Sequence, residues 1–124
     1  MSGGLRFRPE ALPFAGPATN FTVATRSFAV GTIVLVPAAS LTGVQRPGVY
    51  RLALIAAAAA TFQFQDTSGG VLSAVYPLPV GGIFIMNTPH GGDPLWQVGT
   101  PGLGLQIVVA TSPIVGDIWT ALGA

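Results

Sequence analysis

Thr61-Phe62-Gln63-Phe64-Gln65-Asp66-Thr67-Ser68-Gly69-Gly70 is the stretch that decides the fold. Phe62 and Phe64 alternate with Thr61, Gln63 and Gln65, so two rings share one face and polar groups the other. Asp66 to Gly70 then has the composition of a turn: an Asp side chain bonds the backbone two residues on, and glycine tolerates positive φ. Residues 71–76 resume the apolar run, so residues 61–76 predict a β-hairpin.

The same period of two continues outward. Phe21, Val23 and Thr25 alternate with Thr22, Ala24 and Arg26, and a β-branched run over 32–36 ends at Pro37. Residues 49–56 alternate again. Between them and the hairpin lies the alanine run Ala56–Ala60. Alanine is the best helix former, yet strand patterns flank the run and it is too short to stand alone as a helix. It reads as a strand-to-strand connection or a tightly packed strand, with a short helix as the alternative. Further β-rich runs cover 82–86, 103–110 and 117–122, separated by Gly/Pro turns. About eight strands without a convincing helix predict an all-β chain, an antiparallel β-sandwich or jelly roll, forming one domain over residues 20–124.

Residues 1–19 follow neither period. They hold Pro9, Pro13 and Pro17, which favour an extended course, and the Arg6-Phe7-Arg8 triplet with Phe14 beyond it. Arginine and aromatic residues are enriched where interfaces hold most tightly. The segment reads as an extended arm whose Arg6, Phe7, Arg8 and Phe14 dock on a partner, against the alternative of a frayed terminus. Trp96 follows a Gly/Pro loop and is either core or a stacking platform for a partner or sugar. Trp119, in the last strand pattern, reads as core.

Charge is scarce. The 124 residues include five arginines, no lysine and four carboxylates, so 7% are charged, where about 25% is usual. A net charge of +1 gives little mutual repulsion. Much of the folded surface is therefore expected to touch protein. Half the residues are hydrophobic, which excludes disorder for most of the chain. No apolar window reaches the ~20 residues of a spanning helix, and the first eight residues lack a secretory-signal core. No membrane partner is expected. The scattered arginines make no basic groove, so no nucleic-acid partner is expected either.

Chemistry-bearing residues are few. His90 is the sole histidine and cysteine is absent, so no metal site is expected. Glu10, Asp66, Asp93 and Asp117 are the only candidates for a carboxylate pair. Glu10 falls in the arm, and Asp66 and Asp93 fall in turns. No Gly-x-Ser-x-Gly elbow occurs. Gly99–Gly104 lacks the spacing and the following helix of a dinucleotide loop. No enzymatic activity and no cofactor are expected.

From Tyr50 onward the order is a strand, an alanine joint, Thr61–Asp66 and a Ser-Gly-Gly turn. A Pro-x-Pro-x-Gly-Gly connection at 77–82, a Pro/Gly loop with Trp96 and two closing strands follow. This order resembles the small β-sandwich structural proteins of tailed-bacteriophage virions, such as capsid decoration (cement) proteins and head- or tail-fibre modules. The resemblance implies a jelly-roll-like domain, homo-oligomeric and often trimeric. Such a protein is made in the host cytoplasm and seated on the virion surface against the major capsid protein or another virion protein. A carbohydrate-binding module that uses Trp96 is the alternative.

Overall fold

A computed structural model describes residues 22–88 and 93–123. They form nine strands: β1 (Thr22–Phe28), β2 (Gly31–Val36), β3 (Arg46–Ile55), β4 (Ala60–Asp66), β5 (Tyr76–Leu78), β6 (Ile83–Asn87), β7 (Trp96–Gln97), β8 (Leu105–Ala110) and β9 (Ile114–Gly123). A single 3-10 turn, Ala38–Ser40, follows β2. All pairings are antiparallel. One sheet runs β1-β9-β3-β6, with β7 also paired to β3; the other runs β2-β8-β4-β5. We call them the wide sheet and the narrow sheet.

The two orders match position for position. β1 and β2, β9 and β8, β3 and β4, and β6 and β5 occupy equivalent places in the two sheets. Each of these pairs is consecutive in the chain; with the β2–β3 and β7–β8 connections, the described chain crosses from sheet to sheet six times. Ala56 to Ala59 make the crossing between β3 and β4. Ala56 and Ala60 are buried at its ends, and no helix forms there. Small side chains let the strand turn across the layer without filling it.

The core between the sheets follows the alternation. Phe62 and Phe64 of β4, Ile107 and Val109 of β8, Leu52 and Leu54 of β3, and Ile114 and Ile118 of β9 all point inward and are fully buried. Burying each such side chain contributes about 1.5–3 kcal/mol. Rings gather at one end. Phe62 meets Phe84 edge-on at 5.1 Å and Tyr76 at 5.6 Å, and Phe64 stacks on Trp96 at 5.1 Å.

Three expectations need correction. Residues 71–76 are not a continuous strand: beyond a lone bridge from Val71 to Gln65, pairing with β4 resumes only at Tyr76. Ser73 breaks the ladder, because its hydroxyl accepts the Phe64 N–H at 2.9 Å in place of a backbone carbonyl. The short strand β7 lies in a stretch read as a loop. Trp119 lies outside the core, because it alternates with the buried Ile118 and shares the outward side with Asp117 and with its partner Arg51.

The turn after β4 is built around Asp66, which is only 9% exposed. Its carboxylate accepts hydrogen bonds from Ser68 N at 2.8 Å, from the Ser68 hydroxyl and from Gly70 N at 2.9 Å. Gly69 takes φ +93°, which favours glycine there. The Ser68 hydroxyl holds the Asp66 carboxyl below its ordinary range; burial opposes this, and the N–H groups of Gly70, Ser68 and Gly69 assist it. The stabilisation is complete above the unfolded-state pKa of about 3.9 and is lost as pH falls through the lower folded value. Asp66→Ala should cost about 1–3 kcal/mol at pH 6, measured by urea unfolding. The difference from the parent should shrink at pH 3 and below.

Candidate interaction surface

The two outer faces of the sandwich differ sharply. On the narrow sheet Thr61, Gln63 and Gln65 of β4 and Gln106 of β8 face outward, beside Val108 and Ala110 of β8 and Val34 of β2. Gln106 Nε2 donates to Gln65 Oε1 at 3.1 Å, Gln65 Nε2 to Gln63 Oε1 at 3.0 Å, and Gln63 Nε2 to the Ser73 carbonyl at 3.2 Å. This chain of amides solvates a face without charge. Scarce charge therefore does not by itself imply a covered surface.

The wide sheet presents the opposite chemistry. In the register, Val115 of β9 faces Ile55 of β3, which faces Ile83 of β6. The next row places Asp117 beside Ala53 and Ile85, and the third places Val23, Trp119, Arg51 and Asn87 side by side. Ile83 is 67% exposed, Ile85 60%, Val115 50%, Ile55 46% and Val23 44%. Scattered exposed aliphatic residues are ordinary; five on one sheet face, three of them in a single row, make this face the candidate interaction surface. The alternation explains their position. Phe84 and Met86 of β6 turn inward against the core, and this sends Ile83 and Ile85 out.

One end of this face carries its polar detail. The Arg51 guanidinium lies 4.6 Å from the centre of the Trp119 ring, a cation–π stack. Both residues, with Tyr50, Asn87 and Thr88, line an open cavity of about 310 Å³. Tyr50 is buried. Burial first, and then the charge of Asp93, push its phenol above the ordinary value, so it stays a neutral hydroxyl. Neither Arg51 nor Asp117 forms an ion pair among the described residues. A second cleft, about 490 Å³, includes Thr22, Leu35, Val36 and Leu122.

The residues singled out in the sequence are distributed unevenly. Arg6, Phe7, Arg8 and Phe14 lie outside the described residues, as do Glu10 and His90. Trp96 is partly buried, stacked on Phe64 and tilted against Tyr76 at 5.7 Å. Of its two readings, core packing is the one its contacts match. Asp66 serves its turn. No group of three or more His, Asp or Glu residues suited to a metal occurs among the described residues, and no helix there is long and apolar enough to cross a membrane. Sequence reasoning missed Ile55, Ile83, Ile85 and Val115. The available signal was an apolar run with bulky residues at both parities, Ile83-Phe84-Ile85-Met86. Comparison with protein-family models, curated proteins and solved structures finds no match.

Proposed function

We propose that this protein is a non-enzymatic structural component of a virion, a decoration (cement) protein that binds a phage head through protein–protein contacts. The aliphatic face of the wide sheet carries the reading. A domain that keeps Ile83, Ile85, Ile55 and Val115 in water loses the stabilisation their burial would give, at about 25 cal/mol per Å². A component of a larger assembly recovers it on docking. Repetition over a shell lattice multiplies weak contacts into firm attachment without any new contact.

Two further features support the reading. We read the wrapped ribbon, with its sheet-to-sheet crossings at matched positions, as a jelly roll with β7 added; viral capsid domains are among the users of that architecture. The carboxylates of the described residues are spread over a turn, a loop and a sheet face: Asp66, Asp93 and Asp117. On this reading the partners are further copies of the chain and the major capsid protein or another virion protein, and the site of action is the capsid surface.

The test is mass spectrometry of purified particles assembled under the genome that encodes the chain. The chain should be present at a fixed ratio to the coat protein and be removable without dismantling the shell. Recovery only in the particle-free fraction would reject the proposal.

A further inference from the structure

We infer that the aliphatic face of the wide sheet pairs with the same face of a second copy, about a two-fold axis lying between the two sheets. This deepens the reading of the chain as a component that works through its interfaces, and it rests on that reading. Charge favours a second copy over a foreign partner, and two further observations accord with it.

The first is charge. Its three rows carry, among the described residues, one cation, Arg51, and one anion, Asp117, and neither is ion-paired there. They sit on neighbouring strands one row apart: Asp117 pairs Ala53, and Arg51 lies two residues before Ala53 on the same strand. A two-fold axis in the interface plane can exchange these two positions. Arg51 of each copy then meets Asp117 of the other, making two ion pairs from one interaction. A foreign partner would have to supply both opposite charges at the matching separation.

The second is shape and area. Four strands about 4.8 Å apart and three outward rows about 7 Å apart give a footprint on the order of 400 Å² per copy, before side-chain relief is counted. Two such faces give about 800 Å², and a specific pair buries about 1,200–2,000 Å² in total, so side-chain relief and the rims must supply the rest. Face-to-face stacking of sheets at about 10 Å is an ordinary packing mode.

The third is the contrast between the faces. The narrow sheet mixes its amides with Val34 and Val108, whereas the wide sheet gathers five exposed aliphatic residues, so a pair closed through the wide sheets buries the more apolar of the two faces. A two-fold pair differs from the threefold assembly implied by the family resemblance, and the experiment separates them.

Sedimentation velocity over a concentration series tests the inference, with circular dichroism to confirm folding of each variant. The parent chain should sediment at twice the chain mass. Ile85→Asp should weaken association by tenfold or more, as should Arg51→Asp and Asp117→Arg, in each of which like charges face each other. Thr32→Asp, on the opposite face, should leave association intact. An equimolar mixture of Arg51→Asp with Asp117→Arg should restore the pair, because every contact in the mixed dimer is again between opposite charges. A parent chain monomeric at 100 µM (roughly the upper end of weak specific association) would overturn the inference. So would a trimer indifferent to Ile85→Asp, or a mixture that stays dissociated. Particle binding by a monomeric parent would reject the pairing and leave the virion proposal standing; a dimer absent from particles would do the reverse.

Discussion

Gly116→Val should leave the chain unable to fold. Gly116 sits in β9, which pairs β1 on one side and β3 on the other, and it lies opposite Arg26 and Leu54 in those ladders. Its φ is +152°, a conformation side chains rarely adopt. A Cβ added there would run into the Ala53 carbonyl oxygen and crowd the Leu54 Cα. These are backbone atoms of a central strand, so no side-chain rotation relieves the clash. Either β9 or β3 must move, and each holds the other in register over nine residue pairs. Backbone strain joined to a broken central ladder belongs to the small class of substitutions costing more than about 4 kcal/mol, a large share of any domain's stability. Expression should give insoluble protein, and refolded material should lack a cooperative urea transition. A soluble Gly116→Val protein with the parent midpoint would show that this close approach does not exist.

Phe62→Ala should destabilise the domain by about 3–5 kcal/mol. The ring is fully buried at the point where the two sheets face each other. It contacts Phe64 at 6.0 Å, Tyr76 at 5.6 Å and Phe84 at 5.1 Å. Phe84 belongs to the wide sheet and Tyr76 to the narrow one, so Phe62 ties the layers together. Its removal leaves a cavity beneath rings too rigid to collapse into it, and edge-to-face pairs are lost beyond the buried area. Urea unfolding monitored by tryptophan fluorescence measures the loss. Phe62→Leu, which keeps most of the volume, should cost less than half as much.

The strands were legible where their two faces differ in chemistry. β4 alternates rings with Thr and Gln, and its bounds follow from that alternation almost residue for residue. The alanine crossing was legible because five small residues between two alternating runs leave a helix nothing to pack with. Legibility failed where the pattern was apolar at both parities or where parity broke. Residues 71–76 look like a strand by composition, but the Ser73 hydroxyl replaces a ladder bond and the pairing lapses. Trp119 looks like core because tryptophan usually is, but it alternates with the buried Ile118 and shares the outward side with Asp117 and Arg51. In β6, hydrophobicity alone could not say whether Ile83 and Ile85 or Phe84 and Met86 face the core. The decision comes from β3, where Leu52 and Leu54 are inward and fix the parity of their partners. An interaction surface was thus legible only as an expectation from missing charge; the location of the candidate face was not, and the amide chain on the opposite sheet shows that an uncharged surface can still be polar.

The central claim is that the aliphatic face of the wide sheet is covered by protein while the glutamine face is wet. The chain has no cysteine, so a single introduced thiol reports its own surroundings. The decisive measurement compares thiol-labelling rates of Ile85→Cys and Thr32→Cys across a concentration series. Thr32→Cys should react as fast as a free thiol throughout. Ile85→Cys should slow progressively as the protein is concentrated, and should recover its speed when Arg51→Asp is added. Equal, concentration-independent rates at the two positions would contradict the account.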